Sequence, residues 1–160
     1  MATAPREGTT ISLYLPRPWD AQPARDEAPV EASAVPPGLK VLMVEDDTEV
    51  RAVARQFLDA LGCEVSTCAS AEQALLLLTP GAPFELLLTD IALGSGLRGT
   101  ELARVAQERL PQLAILLMSG FSADLLEADE NSPPGWELLQ KPYSRGELAQ
   151  AIARALAARA

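Results

Sequence analysis

Histidine is missing altogether from these 160 residues. The chain therefore has no imidazole base, no imidazole metal ligand and no phosphohistidine of its own. Cysteine is scarce: Cys63 and Cys68 are too few for a disulfide framework, and their spacing fits no zinc pattern. Aromatic residues make up only 4%, so any core must be built from Leu, Val, Ile and Ala. Positive charge is short as well. Lys and Arg number 13 against 22 Asp and Glu, a net charge of −9. Such a chain repels the phosphates of nucleic acid and suits divalent cations or a basic partner surface. No stretch approaches the ~20 apolar residues of a membrane span. No basic region followed by an apolar run marks a secretion signal. A cytoplasmic location, with no direct membrane or nucleic-acid partner, is expected by default.

What is present falls into two parts. Residues 1–38 hold a Pro-, Ala- and acid-rich tract from Pro16 to Pro37 with no apolar period, which reads as a flexible linker. Ahead of it, Ile11, Leu13 and Leu15 alternate with more polar residues, as in a lone half-buried strand over 11–15. From Leu39 to about residue 158 the pattern becomes regular, and this span is expected to be one domain. Strands are expected at Val41–Val44, Glu64–Thr67, Glu85–Thr89, Ala114–Met118 and Trp136–Gln140. Helices are expected between them. Val50, Val53, Ala54, Phe57, Leu58 and Leu61 share one face before Gly62. Ser70 with Gln73, and Ser144 with Glu147, have the spacing of capping boxes. Leu102–Leu110 ends at Pro111, and Ser122–Glu130 fits a short helix. Five strands alternating with five helices imply an α/β fold with a parallel sheet covered on both faces.

Ligands of open parallel sheets bind at the carboxyl ends of the strands. Four of the five strands deliver a polar group there. Glu45 and Asp46, with Asp47 next, follow the first. Asp90 follows the third, Ser119 the fourth and Lys141 the fifth. Crowded carboxylates repel unless a cation neutralises them. A hard, oxygen-loving ion such as Mg²⁺ does so with few carboxylates, water and phosphate oxygens. A carboxylate can also act as a nucleophile and form an acyl phosphate. Phosphoryl transfer needs mainly positioning and neutralisation of charge, which a metal and a Lys ammonium supply. The Gly94–Gly99 loop has neither the Walker Lys-Ser/Thr ending nor a dinucleotide fingerprint.

In this order, Val41-Leu42-Met43-Val44-Glu45-Asp46-Asp47, Leu88-Thr89-Asp90, Met118-Ser119-Gly120 and Lys141-Pro142-Tyr143 resemble the receiver domains of response regulators. The resemblance covers about residues 39–158. It implies a flavodoxin-like sheet of order 2-1-3-4-5, Asp90 as phosphoacceptor, and Mg²⁺ held by Glu45, Asp46, Asp90 and the backbone carbonyl of Ala92. It implies contact of Ser119 and Lys141 with the phosphoryl group, and a cis bond before Pro142. The donor would be a phosphohistidine on a sensor histidine kinase or a histidine phosphotransfer protein, and a homodimer is left open. No output domain is expected beyond the last helix, so signalling would run through protein contact or onward phosphotransfer. The chain would be a phosphoacceptor rather than an enzyme, apart from slow self-dephosphorylation.

Three features depart from the commonest pattern. Glu45 stands where Asp is usual, and its longer arm would reach Mg²⁺ through water. The loop from Asp90 to Gly99 is one residue longer than in the simplest members. Leu138 replaces the aromatic residue three positions before the Lys, so a readout through loop and helix shifts is expected. Glu7 to Pro16 resembles the closing strand of the ATP-binding domain of histidine kinases, with Arg6 at the first Gly of its turn. That implies a receiver derived from the tail of a hybrid kinase. Other readings fit less well. A haloacid-dehalogenase-type phosphatase needs Asp where Ala92 stands. A flavodoxin needs a Ser/Thr-rich phosphate loop where Glu45-Asp46-Asp47 stands. A degenerate receiver would not keep Asp46, Asp90, Ser119 and Lys141.

Overall fold

The computed structural model describes residues 2–4, 8–10, 35–94, 96–120 and 135–159. Two short strands, β1 (Ala2–Ala4) and β2 (Gly8–Thr10), pair antiparallel. No pattern in the sequence marks β1, whose three small residues carry no alternation. The strand expected at 11–15 and the helix expected at Ser122–Glu130 lie outside the described residues.

The main sheet contains β3 (Lys40–Val44), β4 (Glu64–Cys68), β5 (Leu86–Asp90), β6 (Ala114–Ser119) and β7 (Glu137–Gln140). All four pairings are parallel, in the order β4-β3-β5-β6-β7. This is the expected 2-1-3-4-5 arrangement, counted within the sheet. The two central runs, LLLTD and AILLMS, are buried at every position, as a strand covered on both faces requires. Edge strand β4 alternates exposed and half-buried residues instead, which is why its sequence signal is weak.

Among the described residues four helices cover the sheet. They are α1 (Thr48–Ala60), α2 (Ala71–Leu77), α3 (Gly99–Arg109) and α4 (Arg145–Ala158). Side chains alternate across the strands, so the core divides in two. Val41, Met43, Leu88 and Leu116 pack with Leu58 of α1 and Ile152 of α4. Leu42, Leu87, Ile115 and Leu117 pack with Ala74 of α2 and Leu102 of α3. Packing begins before Leu39: Val35 is buried, and the Gly38 N–H donates to the Gly62 carbonyl at 2.8 Å.

Helix starts follow local side-chain chemistry. Ser144 and Glu147 close the expected capping box. At Ser70 the hydroxyl accepts from the Gln73 N–H as expected, but the Gln73 amide reaches back one residue further, to the Ala69 N–H. Gly99 opens α3 with its backbone against β5. A Cβ there would stand 1.9 Å from the Asp90 carbonyl oxygen. Gly62 turns the chain after α1 with a φ of +81° and open space around it.

Two predictions arise here. Gly99→Ala should destabilise the fold by about 3 kcal/mol, because backbone rather than a movable side chain blocks the new methyl. Gly62→Ala should cost only about 1 kcal/mol, the expense of a left-handed residue. Urea denaturation followed by circular dichroism measures both.

The second concerns alkali. Burial pushes the Cys63 thiol from 9.0 up to about 11 and the Tyr143 phenol from 10.0 up to about 12. Both pKa values are raised in the fold, so their stabilising contribution is complete below pH 9 and is lost as pH rises towards 12. Stability should fall over that window, and Cys63→Ala or Tyr143→Phe should each flatten the decline in denaturation curves recorded from pH 8 to 12.

Candidate functional site

Strand register decides which side chains meet. Val44 lies opposite Thr89, Asp90 opposite Met118 and Ser119 opposite Gln140. Residues just past these pairs therefore emerge at one edge. Glu45, Asp46 and Asp90 each place a carboxylate oxygen within 4.8 Å of the other two. Lys141 reaches the same point from beyond β7. Its Nζ donates to Glu45 Oε2 at 2.6 Å and to Asp90 Oδ2 at 2.7 Å. The Lys141 backbone is tied down as well, its N–H donating to the Ser119 carbonyl at 2.8 Å. The bond between Lys141 and Pro142 is cis, as expected. Glu45, Asp46, Asp90, Ser119 and Lys141 thus converge at the carboxyl edge of the sheet.

The three successive acids after β3 do different things. Glu45 is buried; its Oε1 accepts from the Asp47 N–H and its Oε2 pairs with Lys141. Asp46 is exposed at the mouth of the cluster. Asp47 caps α1 instead, its Oδ1 accepting from the Glu49 and Val50 N–H groups at 2.8 and 3.0 Å. Those bonds hold its carboxyl below the ordinary Asp value.

Asp90 is held from several sides. The Ala92 N–H donates to its Oδ1 at 3.3 Å, and the Thr89 hydroxyl donates to its carbonyl oxygen at 3.1 Å. Just beyond it, the Ile91 N–H joins the Met118 carbonyl and the Ile91 carbonyl accepts from Gly99. Ser119 is buried at the end of β6.

Burial raises the Glu45 pKa, and the nearby Asp90 adds to this, while Lys141 opposes it. Burial alone would lower the Lys141 pKa, but hydrogen bonds to Asp90 and Glu45 outweigh it and keep the ammonium charged. Three carboxylates against one ammonium leave a deficit of two positive charges, in a cluster offering only oxygen ligands. That donor set is compatible with a hard divalent metal.

Sequence reading missed Arg51. Its guanidinium Nη1 donates to the Glu45 carbonyl and, at 3.3 Å, to the Asp46 carbonyl, while Nη2 reaches Thr48 Oγ1 at 3.3 Å. The helical-face pattern of α1 looks only at apolar residues, so a polar side chain folding back from the first turn leaves no periodic signal. Glu72 was missed too. Its Oε1 accepts from the Leu97 N–H, 25 positions away, and lies where a side chain at Gly96 would sit.

Lys141 is the only cation among the described ion pairs of Glu45, whose side chain is 1% exposed. Without added metal, Lys141→Met should raise the Glu45 pKa further, visible by ¹³C NMR. It should also lower stability at pH 7 by roughly 3 kcal/mol, the cost of leaving a buried charge without its partner. Adding Glu45→Gln to that variant should recover much of the loss.

Comparison with known proteins agrees with this geometry. Residues 41–153 match the response regulator receiver domain family. The response regulator receiver protein CpdR of Brucella abortus is 34% identical over 119 residues, covering 74% of this chain and 98% of that protein. The sensor kinase CckA of the same organism is 26% identical over 155 residues. That match takes in 91% of this chain but only 16% of CckA. A response regulator receiver protein from Sinorhizobium medicae superposes with a TM-score of 0.70 at 29% identity, over 77% of this chain and 98% of that one. The chain belongs to the response regulator receiver domain family of two-component signalling, and its cluster of Glu45, Asp46 and Asp90 fits that family's aspartyl-phosphate chemistry.

Proposed function

We propose that Asp90 accepts a phosphoryl group from a phosphohistidine on a sensor histidine kinase or a histidine phosphotransfer protein in the cytoplasm. The observation that carries this is the meeting of Asp90 with Lys141 and the Glu45–Asp46 pair at one strand edge. Mg²⁺ would be held by Glu45, Asp46, Asp90 and the Ala92 carbonyl, with Glu45 reaching it through water. When bound, it would neutralise charge on the phosphoryl oxygens.

The residues present account for the rest. A carboxylate oxygen of Asp90 attacks phosphorus, its bond to phosphorus forms, and the phosphorus–nitrogen bond to the donor imidazole breaks. The freed imidazole takes up a proton. Ala92 N–H and Lys141 fix the two carboxylate oxygens and so aim the nucleophile. Lys141 then exchanges its Asp90 partner for a phosphoryl oxygen while keeping Glu45, and the Ser119 hydroxyl donates to another. No external substrate is turned over. The acyl phosphate is lost only slowly to water, and the signal leaves by protein contact or onward transfer. The CckA likeness extends beyond the residues matched to the receiver family. It supports descent from a hybrid kinase, with residues 1–38 as the connecting segment and 39–158 as the receiver.

Incubation with acetyl phosphate or phosphoramidate and Mg²⁺ should add one phosphoryl group to the intact mass. Asp90→Ala should abolish the gain. Lys141→Met should reduce its rate by on the order of 10²-fold or more, the scale of losing a preorganised positive donor. A phosphoryl group retained in Asp90→Ala would sink the assignment.

A further inference from the structure

We propose that Arg51 is a positioning residue for the divalent site: it fixes the backbone beneath Glu45 and Asp46, and so supports cation binding despite its own positive charge. This rests on the phosphoacceptor reading above. Glu45 and Asp46 lie in the turn where the chain leaves β3 and has not yet entered α1. The Glu45 N–H still donates to the Cys68 carbonyl at 3.2 Å, but the carbonyls of Glu45 and Asp46 turn to Arg51 instead.

Arg51 is well placed for this. Its own N–H already belongs to α1, donating to the Asp47 carbonyl at 2.9 Å. The side chain is half-buried and folds back over the turn, where Nη1 serves both carbonyls and Nη2 serves Thr48. A planar guanidinium with donors in a fixed fork holds several acceptors in one geometry, whereas an ammonium acts as a point charge. None of the described hydrogen bonds or ion pairs of Arg51 is to a carboxylate. The group is therefore engaged in holding backbone, and it leaves the acidic cluster's deficit of positive charge in place for a metal.

Two effects of Arg51 oppose each other. As a nearby positive charge it repels a divalent cation, and as a clasp it presets the two acidic side chains. Their signs separate them. Arg51→Met removes both charge and donors, while Arg51→Lys keeps the charge and loses the fork. Isothermal titration of the full chain with MgCl₂ gives the dissociation constants, and circular dichroism melting confirms folding.

If the clasp dominates, Arg51→Met should weaken Mg²⁺ binding roughly tenfold, the scale seen when a group supporting a metal ligand is removed. Arg51→Lys should also weaken it, by a smaller factor. If charge alone matters, Arg51→Met binds more tightly than wild type and Arg51→Lys matches wild type, and either result overturns the proposal. Should Arg51→Met fail to fold, Arg51→Lys decides by the same comparison. Phosphorylation of wild type at Asp90 is scored in parallel. Loss of the Arg51 effect with that reaction intact removes only the clasp. Wild-type protein that binds no Mg²⁺ and gains no phosphoryl group removes both readings.

Discussion

One ammonium shared between two carboxylates organises the edge of this sheet. Lys141 lies 96 positions from Glu45 and 51 from Asp90, yet it contacts both. Only the parallel order of β3, β5, β6 and β7 brings them within reach. The arrangement also solves an energetic problem. Glu45 is buried, and an isolated buried carboxylate would give up its charge rather than stay in a low-dielectric setting. Burial does raise its pKa, and Lys141 limits the rise. The same ammonium anchors Asp90, so the two acids share one positive partner.

Neighbouring residues divide the remaining tasks. Asp47 gives its carboxylate to the start of α1, which fixes where the helix begins and thereby where Arg51 falls. Arg51 returns to the turn and holds the carbonyls of Glu45 and Asp46. Asp46 remains at the exposed mouth. Three consecutive acids thus become a buried anchor, an exposed carboxylate at the mouth of the cluster and a helix cap. Their chemical similarity gives no hint of this, and their places in the turn decide it.

The sheet was readable because its central strands are apolar at nearly every position and are bounded by Gly, Pro and capping residues. Asp90, Ser119 and Lys141 were readable for a related reason: each follows directly after such a run, and strand ends in a parallel sheet point to one edge. Other features were hidden. β4 is a half-exposed edge strand with a weak pattern. The short strand β1 has only Ala and Thr to show for itself. The Gln73 amide has the correct spacing for a capping box but bonds to Ala69, because spacing does not specify which of two adjacent N–H groups a flexible side chain will choose. The Arg51 clasp and the Glu72 link to Leu97 depend on long polar side chains folding back on backbone, and no periodicity encodes that.

The close approach at Gly99 has a mechanical consequence. The first residue of α3 rests directly on the peptide carbonyl of Asp90, and its N–H is bonded to the next carbonyl along. There is no layer of side chains between them to absorb strain. Any displacement of the backbone at the tip of β5 must therefore carry the front of α3 with it, as one stiff coupling.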